Sequence, residues 1–474
     1  MGTRSRLGCF TCRRRKKKCD EVKPICTACL RNSLGCVWPD LCPPERVNAV
    51  GSRQQTYNGQ PASESTPWAL VSANAHHDLS RGPVPYALAG VTLPGCVSSG
   101  IETWALLDHY LKDTANRLAC LQDNQNPFLY TILPVALQDE LLMNSILALS
   151  GVHMMQRLPQ LTPKMHCLTW GSYTRALKQL RVALSAAFHE TSDIDAVWRA
   201  LLVVLIFYLL EATRGNDPDA MQRHLEGAHH LMACVIKSSA SSTQPGLVFL
   251  TTELYVYNAA LASFTTNRLP TATPILFSQA LGVDIEDGLG VMCGCAHDLF
   301  GFIPQVSALL WDLSSHATPL KSQLDNLFAR YRGLRVQIED WKPRSNNSSM
   351  VLSAELYRKS LLLLLDSRFT NSDSGSIIDQ AFQSLEKLLL HLLPSSPFGT
   401  TMTWPLFAFG IHARSLEQRG LIRSYLKISI EIFGMGVMST ALSQLEEMWL
   451  AEPEDSVVDM LFLNQRKLKL PLIC

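Results

Sequence analysis

Residues 9–36 read CFTCRRRKKKCDEVKPICTACLRNSLGC and contain six of the fourteen cysteines of this 474-residue chain. The segment is an internal duplication, because CFTCRRRKKKC and CTACLRNSLGC both have the spacing C-x2-C-x6-C. The DEVKPI that joins them contains Pro24, which favours a loop. Clustered cysteines in a duplicated pattern predict a metal site rather than a set of disulfides.

The number of sulfurs predicts how metal would be bound. Zinc binds four ligands in a tetrahedron, and each half of the duplication supplies only three sulfurs. Two ions are therefore complete only if two sulfurs bridge them, and the symmetric choice is Cys9 and Cys26. The predicted ligands of the two zinc ions are Cys9, Cys12, Cys19, Cys26, Cys29 and Cys36. Because sulfur fills every ligand position, the site is predicted to be structural, and the chain is not expected to be an enzyme.

Charge is distributed unevenly along the chain. Residues 1–36 carry a net charge of +8, whereas the remainder carries −7. A basic head on an acidic body predicts a polyanionic partner for the head alone. The basic run 13–18 is predicted to lie on a short helix that opens at the first C-x2-C turn and enters the major groove of DNA, although such a run also suits nuclear import.

The segment 9–36 resembles the binuclear zinc cluster of fungal transcription regulators. The resemblance covers the six cysteines, the run CRRRKKKCDE, Pro24 and Arg31. It implies a nuclear, zinc-dependent, sequence-specific regulator of RNA polymerase II genes that binds double-stranded DNA and recruits the transcription machinery or co-regulators. It further implies a pathway-specific role, in secondary metabolism or lipid metabolism.

The resemblance also suggests which basic residues touch DNA. It implies base contacts from Arg15 and Lys16, phosphate contacts from Arg13 and Lys18, and a CGG-type target triplet. A plain helical wheel instead favours Arg14 and Lys17, which are most remote from the face of Cys12 and Cys19.

After the head, the composition changes twice. Residues 43–100 are rich in Pro, Gly, Ser, Asn and Gln and predict a flexible linker. From Ile101 onward apolar residues recur at helical spacing. The predicted fold is a small metal-stabilised binuclear zinc cluster head (1–42) and a large all-α helical body (101–474), long enough to allow two lobes. Predicted helices cover about 102–121, 137–157, 165–188, 194–213, 218–237, 246–265, 290–314, 319–341, 350–369, 375–393, 404–434 and 436–450.

Three body segments resemble the regulatory domain that accompanies these zinc clusters: 104–118, 126–154 and 401–426, the last containing WPLF and Gly410. The arginines after Gly410 depart from the usual spacing, so no role is carried over to them. The longest apolar run, 200–210, has 11 residues against the ~20 that a membrane span needs, and it predicts a buried helix and no membrane partner.

Other functions and assemblies are compatible with parts of the pattern. A homodimer is possible, but no clear coiled coil follows the cysteines, and Trp104, Leu111 and Leu118 read better as a core stripe. The main alternative function is a zinc-stabilised interaction module that binds RNA or acidic protein surfaces, and a metalloenzyme is a third reading. Metal binding by the HLEGAHH histidines (224–230) is a minor possibility beside a core or solvated role.

Overall fold

One helix, Ile194–Arg214, lies at the centre of the helical body in the computed structural model. It contains the apolar run 200–210, and every side chain from Ala200 to Thr213 is buried. Asp193 begins the helix by accepting a hydrogen bond from the Ala196 amide, and Gly215 ends it in the left-handed conformation. A helix that is apolar on every face is expected inside a core, as the sequence predicted.

The structure describes residues 12, 17–20, 27, 93–94, 100–121, 125–158, 161–189, 193–238, 242–265, 290–315, 321–369 and 374–450. The helices are α1 (Ile101–His109), α2 (Ala115–Leu118), α3 (Leu133–Ala136), α4 (Glu140–Arg157), α5 (Pro163–His189), α6 (Ile194–Arg214), α7 (Pro218–Lys237), α8 (Pro245–Thr265), α9 (His297–Ser315), α10 (Lys321–Asp340), α11 (Ser348–Phe369), α12 (Ser374–Leu389), α13 (Thr403–Gly410), α14 (Leu416–Phe433) and α15 (Gly436–Leu450). Short π-helical segments cover Tyr110–Thr114 and Phe128–Ile132, and a 3-10 helix covers Pro397–Met402. The described ranges between 100 and 450 hold no strand, which confirms the all-α body.

The chain separates into two units, Met1–Glu64 and Ser65–Cys474. In the second unit, α6 packs against α4, α5, α7, α8 and α15. The later helices continue from α8 through α9, α10, α11 and α12, and α13 joins α11 to α14 and α15. The sequence allowed for two lobes, but the buried apolar side chains from Leu106 to Trp449 form one contiguous cluster. The contact between α6 and α8 explains this continuity, because it connects the earlier helices to the later ones.

Two helices are long and apolar enough to cross a membrane by length and composition, Ile194–Arg214 and Pro245–Phe264. In each, 83% of the most apolar window is buried inside the protein. Core helices of folded proteins pass the same composition test, so these helices are weak evidence for a membrane span.

The helix predicted at 290–314 begins only at His297. Residues 290–296 instead form a turn around the fully buried carboxylate of Glu253 on α8. That carboxylate accepts hydrogen bonds from the amides of Val291 at 2.8 Å, Met292 at 2.8 Å and Cys293 at 3.0 Å. Three amides that donate to one side chain cannot also form a helical ladder, so the tertiary contact overrides the local periodicity.

The helix predicted at 404–434 is two helices, because the chain turns between Gly410 and Ser415. The Gln418 amide donates to the Ser415 hydroxyl oxygen at 3.1 Å, and the Gln418 side-chain oxygen accepts from the Ser415 amide at 3.3 Å. This reciprocal capping box starts α14. The S-x-x-Q pattern of this capping box is present in the sequence, but apolar periodicity alone does not reveal it.

Two helix corners touch backbone to backbone. Gly215, between α6 and α7, has a φ of 73°, and a methyl group built on it would lie 2.1 Å from the carbonyl carbon of Gly436. A methyl group on Gly436 would lie 2.3 Å from the Arg214 carbonyl oxygen. The Thr440 hydroxyl donates to the Gly215 carbonyl oxygen at 2.5 Å. Glycine at both positions therefore permits the start of α15 to rest on the end of α6.

His412, in the turn after α13, is held neutral by its surroundings. Its Nδ1–H donates to the Ala408 carbonyl oxygen at 2.8 Å, and its Nε2 accepts from the Ser367 hydroxyl at 2.9 Å. Burial, with smaller contributions from nearby Arg414 and Arg368, lowers the pKa of His412 to about 4.

The His412→Gln substitution should reduce the acid sensitivity of the body. An unfolded histidine takes up a proton below its ordinary pKa of about 6.5, whereas folded His412 does not until about pH 4, so this residue makes the free energy of unfolding fall as pH falls between these values. At pH 5 this loss is about 2 kcal/mol. Urea unfolding at pH 7 and pH 5 should show a smaller difference for the variant than for the parent.

The matched control is His391→Gln, because His391 is exposed. This variant should retain the parental pH dependence. Equal pH dependence in the parent and His412→Gln would show that His412 does not titrate as described.

Candidate metal centre and nucleic-acid interface

Within the head, the structure describes Cys12, residues 17–20 and Thr27. The two cysteines are buried, with 1% of Cys12 and 5% of Cys19 exposed, whereas Lys17 and Lys18 are exposed. The head offers few apolar residues, so inward-facing sulfur side chains suit ligands of an enclosed ion. The same short segment thus directs sulfur inward and positive charge outward.

Lys17 and Lys18 lie outside the helix that contains Cys12. Cys12 is helical, residues 17–20 are not, and the Lys17 amide donates to the Cys12 carbonyl oxygen at 3.0 Å. The prediction that the helix carries the whole run 13–18 is therefore wrong for Lys17 and Lys18.

This helix end bears on the choice among the basic residues. The helical-wheel argument for Lys17 fails, because Lys17 lies outside the helix. Lys18 is exposed beyond the helix end and directly precedes the buried Cys19. That position leaves its ammonium group in solvent, where it is available to an anionic partner.

Asp20 is a residue that the sequence reasoning missed. The Thr27 amide donates to both of its carboxylate oxygens, at 3.1 Å each. Thr27 is helical and directly follows Cys26, so Asp20 binds a backbone amide next to a predicted zinc ligand. The carboxylate thereby ties the segment that joins the two halves to the second half. The sequence feature that could have pointed to Asp20 is its position directly after the third cysteine.

The remaining predicted site residues lie outside the described residues: Cys9, Cys26, Cys29, Cys36, Arg13, Arg15 and Lys16. Most of the predicted linker 43–100 also lies outside them, and the domain boundaries at 42 and 101 stay predictions. The assignment of individual cysteines to two ions, with Cys9 and Cys26 bridging, stays a prediction as well.

The histidines of 224–230, considered above as possible metal ligands, and the apolar stripe at Leu111 and Leu118 have structural roles in the body. His224 packs against the ring of Phe207, with centroids 5.7 Å apart, and burial lowers its pKa to about 4. His229 Nδ1 and the Tyr255 hydroxyl lie 2.7 Å apart. Among the described residues, no group of three metal-ligating side chains forms around 224–230. Leu111 and Leu118 are buried in the core, which confirms the core-stripe interpretation.

The WPLF segment is part of the core. Trp404 is 1% exposed and stacks on Tyr357, with ring centroids 5.8 Å apart. The Gly410 carbonyl oxygen accepts from the Trp449 indole N–H at 2.9 Å. Arg423 lies over the Trp449 ring at 5.2 Å and pairs with Glu446 at 2.8 Å, so this arginine fixes α15 to α14.

Comparison with known families agrees with this division into head and body. Residues 7–42 match the fungal Zn(2)-Cys(6) binuclear cluster domain, and residues 105–464 match the fungal specific transcription factor domain. The chain belongs to the fungal zinc cluster transcription factors. Proteins of the cluster-domain family bind two zinc ions, and the head of this chain therefore binds two as well.

Similar curated proteins share parts of the chain. Transcription factor lfc1 of Flammulina velutipes is 39% identical over 70 residues, covering 14% of this chain and 25% of that protein. Transcriptional activator protein UGA3 of Saccharomyces cerevisiae is 28% identical over 157 residues, or 32% of this chain and 30% of that protein. Zinc cluster transcription factor CZF1 of Candida albicans is 61% identical over 36 residues, or 8% of this chain and 9% of that protein. The chain thus matches less than a third of the length of each relative, and no solved structure matches it.

The Cys26→Ala substitution should remove both zinc ions from the head. If Cys26 bridges the ions, its loss leaves each ion with an open position and the small head without its main source of stability. Native mass spectrometry of the full chain should show two zinc ions in the parent head and none in the variant head.

Cys42→Ala is the matched control, because Cys42 lies six residues beyond the duplication and is not a predicted ligand. It should leave the zinc content of the head unchanged. Retention of both head ions by Cys26→Ala would contradict the bridging assignment.

Proposed function

We propose that this transcription factor is a nuclear, pathway-specific regulator of RNA polymerase II genes whose head recognises a CGG-type triplet in double-stranded DNA. The observation that supports it best is the arrangement of the basic run, with exposed Lys17 and Lys18 directly before the buried Cys19. A basic segment fixed at both ends by metal ligands presents its charges in a set geometry, which base recognition requires.

Charge favours a nucleic-acid partner for the head. Residues 1–36 carry +8 from their side chains, and six thiolates with two divalent ions contribute about −2, so the metal-loaded head stays cationic. Lysine and arginine neutralise backbone phosphates and release counterions, which supplies most of the non-specific affinity for DNA. Specificity must then come from a few residues that reach base edges.

The basic residues divide into two proposed roles. Arg15 and Lys16 donate to guanine O6 and N7, the commonest specific contact in the major groove. Arg13 and Lys18 contact phosphates and fix the register. The exposed position of Lys18 beyond the helix end supports its phosphate role, since it has left the helix that would reach the bases.

The body is proposed to contact the transcription machinery or co-regulators. Residues 37–474 carry a net charge of −7, which suits partners with basic surfaces and keeps the body off DNA. Leu111 and Leu118 are in the core and unavailable for a coiled coil. A homodimer would therefore form through another surface of the body, and a monomer would read a single triplet.

Selection from a random duplex pool tests the proposal. The zinc-loaded full chain should enrich fragments that contain a CGG triplet at physiological salt. Failure to enrich any triplet over bulk DNA would contradict sequence-specific binding. If single-stranded RNA is added to the pool as a competitor, its preferential retention would favour the alternative interaction module.

The Lys16→Ala substitution should weaken binding to the selected duplex by about 1–3 kcal/mol and relax the sequence preference. Lys18→Ala is the matched comparison and should weaken binding to all duplexes equally. It should also reduce the slope of log affinity against log salt concentration by about 1. Fluorescence anisotropy over a range of salt concentrations, on selected and scrambled duplexes, distinguishes the two effects. A uniform loss in Lys16→Ala would place this residue on phosphate instead.

A further inference from the structure

Two histidines and an aspartate converge at one end of the body. His109 ends α1, Asp113 lies in the π-helical segment Tyr110–Thr114, and His153 lies on α4. One nitrogen from each ring and one carboxylate oxygen all lie within 4.8 Å of one another. The fungal specific transcription factor match gives these residues no role, and they are not part of the zinc cluster. We propose that His109, Asp113 and His153 form a second metal site, for a transition-metal ion of the zinc class.

The ring nitrogens have the spacing that a bound ion requires. His109 Nε2 and His153 Nδ1 are 3.2 Å apart. Two nitrogens at 2.0–2.1 Å from a tetrahedral zinc ion are separated by ~3.4 Å. An ion can therefore bind between the rings with a shift of a few tenths of an ångström. π-helical segments are frequent at functional sites, and here one places Asp113 near the ring of His109.

The tautomer of His153 suits a ligand. Its Nε2 lies 2.9 Å from the Phe433 carbonyl oxygen, which can only accept, so Nε2 carries the hydrogen. The lone pair of Nδ1 then faces His109 Nε2 and the Thr114 hydroxyl, which is 3.0 Å away. Metal-binding histidines commonly donate their second N–H to a backbone carbonyl, which fixes the ring. The Phe433 carbonyl fills this supporting position, and Thr114 is placed to supply a fourth ligand.

Protonation and access are also compatible with metal. Burial lowers the pKa of both histidines, to about 4 for His153, so both rings are neutral near pH 7, the form that binds metal. His153 is 1% exposed, whereas His109 and Asp113 are half-buried. An ion can reach the site past these two side chains.

The arginines beside Asp113 define which metal suits the site. Arg117 contacts one carboxylate oxygen at 3.0 Å and Arg157 contacts the other at 3.2 Å. Burial alone would raise the pKa of Asp113, but Arg117, His153 and Arg157 together hold it below its ordinary value. Because two cations share the carboxylate, most of the affinity must come from the imidazoles. Such a site selects zinc, nickel or copper ions, which accept nitrogen ligands, over calcium and magnesium, which require several oxygens.

A bound ion would connect distant parts of the body. It would join the π-helical segment to α4 and, through the Phe433 carbonyl, to the end of α14. Metal that binds the folded state alone stabilises it by mass action, so added zinc should raise the unfolding temperature of the body. The site rests only on body residues and does not depend on the proposed DNA target.

Counting zinc on the full chain tests the proposal. After incubation with excess zinc and removal of free metal, native mass spectrometry should show one ion more than the two of the head. His109→Ala should lose the additional ion and keep the head pair. Exposed His166→Ala is the matched control and should keep all of the ions. Calcium in place of zinc should add nothing.

Two further measurements keep the test independent of folding defects. Added zinc should raise the melting temperature of the parent and of His166→Ala, but not of His109→Ala. Cobalt added to the zinc-loaded parent should give weak visible bands of a nitrogen and oxygen site, without the thiolate charge-transfer bands of the head. A parent that binds only two zinc ions, or a His109→Ala variant that keeps the additional ion, would overturn the proposal. If the parent binds only two zinc ions, His109 and His153 form a hydrogen-bonded pair and no metal site.

Discussion

The enclosure of α6 by five neighbouring helices is the constraint on which the body depends. Its run from Ala200 to Thr213 has no face that tolerates water, so α4, α5, α7, α8 and α15 must cover it together. Helices from the beginning and the end of the body meet at this one element, which makes a single core of segments that are far apart in sequence. This arrangement also brings His109, Asp113 and His153 together, because α4 places His153 against both α1 and the end of α14.

The sequence predicted the features that local patterns encode. Cysteine spacing predicted the zinc cluster, and helical periodicity predicted most body helices to within a few residues. The failures came where distant groups decide the local structure. Glu253, about forty residues away in sequence, holds the amides of 291–293 in a turn. His109 and His153 belong to different helices, and no motif links them until α1 packs on α4. The sequence showed Asp20 only as a charge, because its partner amide lies seven residues further along the chain.

The two parts of the protein are stabilised by different physics. The head is too small for a substantial hydrophobic core and depends on metal–sulfur bonds, so its fold is lost when the metal is lost. The body depends on burial of apolar surface, and its tryptophan, tyrosine and phenylalanine contacts around Trp404 require no ion. Loss of metal from the head would therefore unfold the head and leave the body folded.

The contact between Gly215 and Gly436 has an evolutionary consequence. Each glycine leaves no space for a side chain at the other, although they lie 221 positions apart in the chain. A substitution by a larger residue at either position alone is disfavoured. It becomes acceptable only if the backbone at the other position also shifts away. Among homologues the two sites should therefore covary, remaining glycine together or changing together. Such a pair would mark the α6–α15 crossing in relatives whose overall identity is too low to align with assurance.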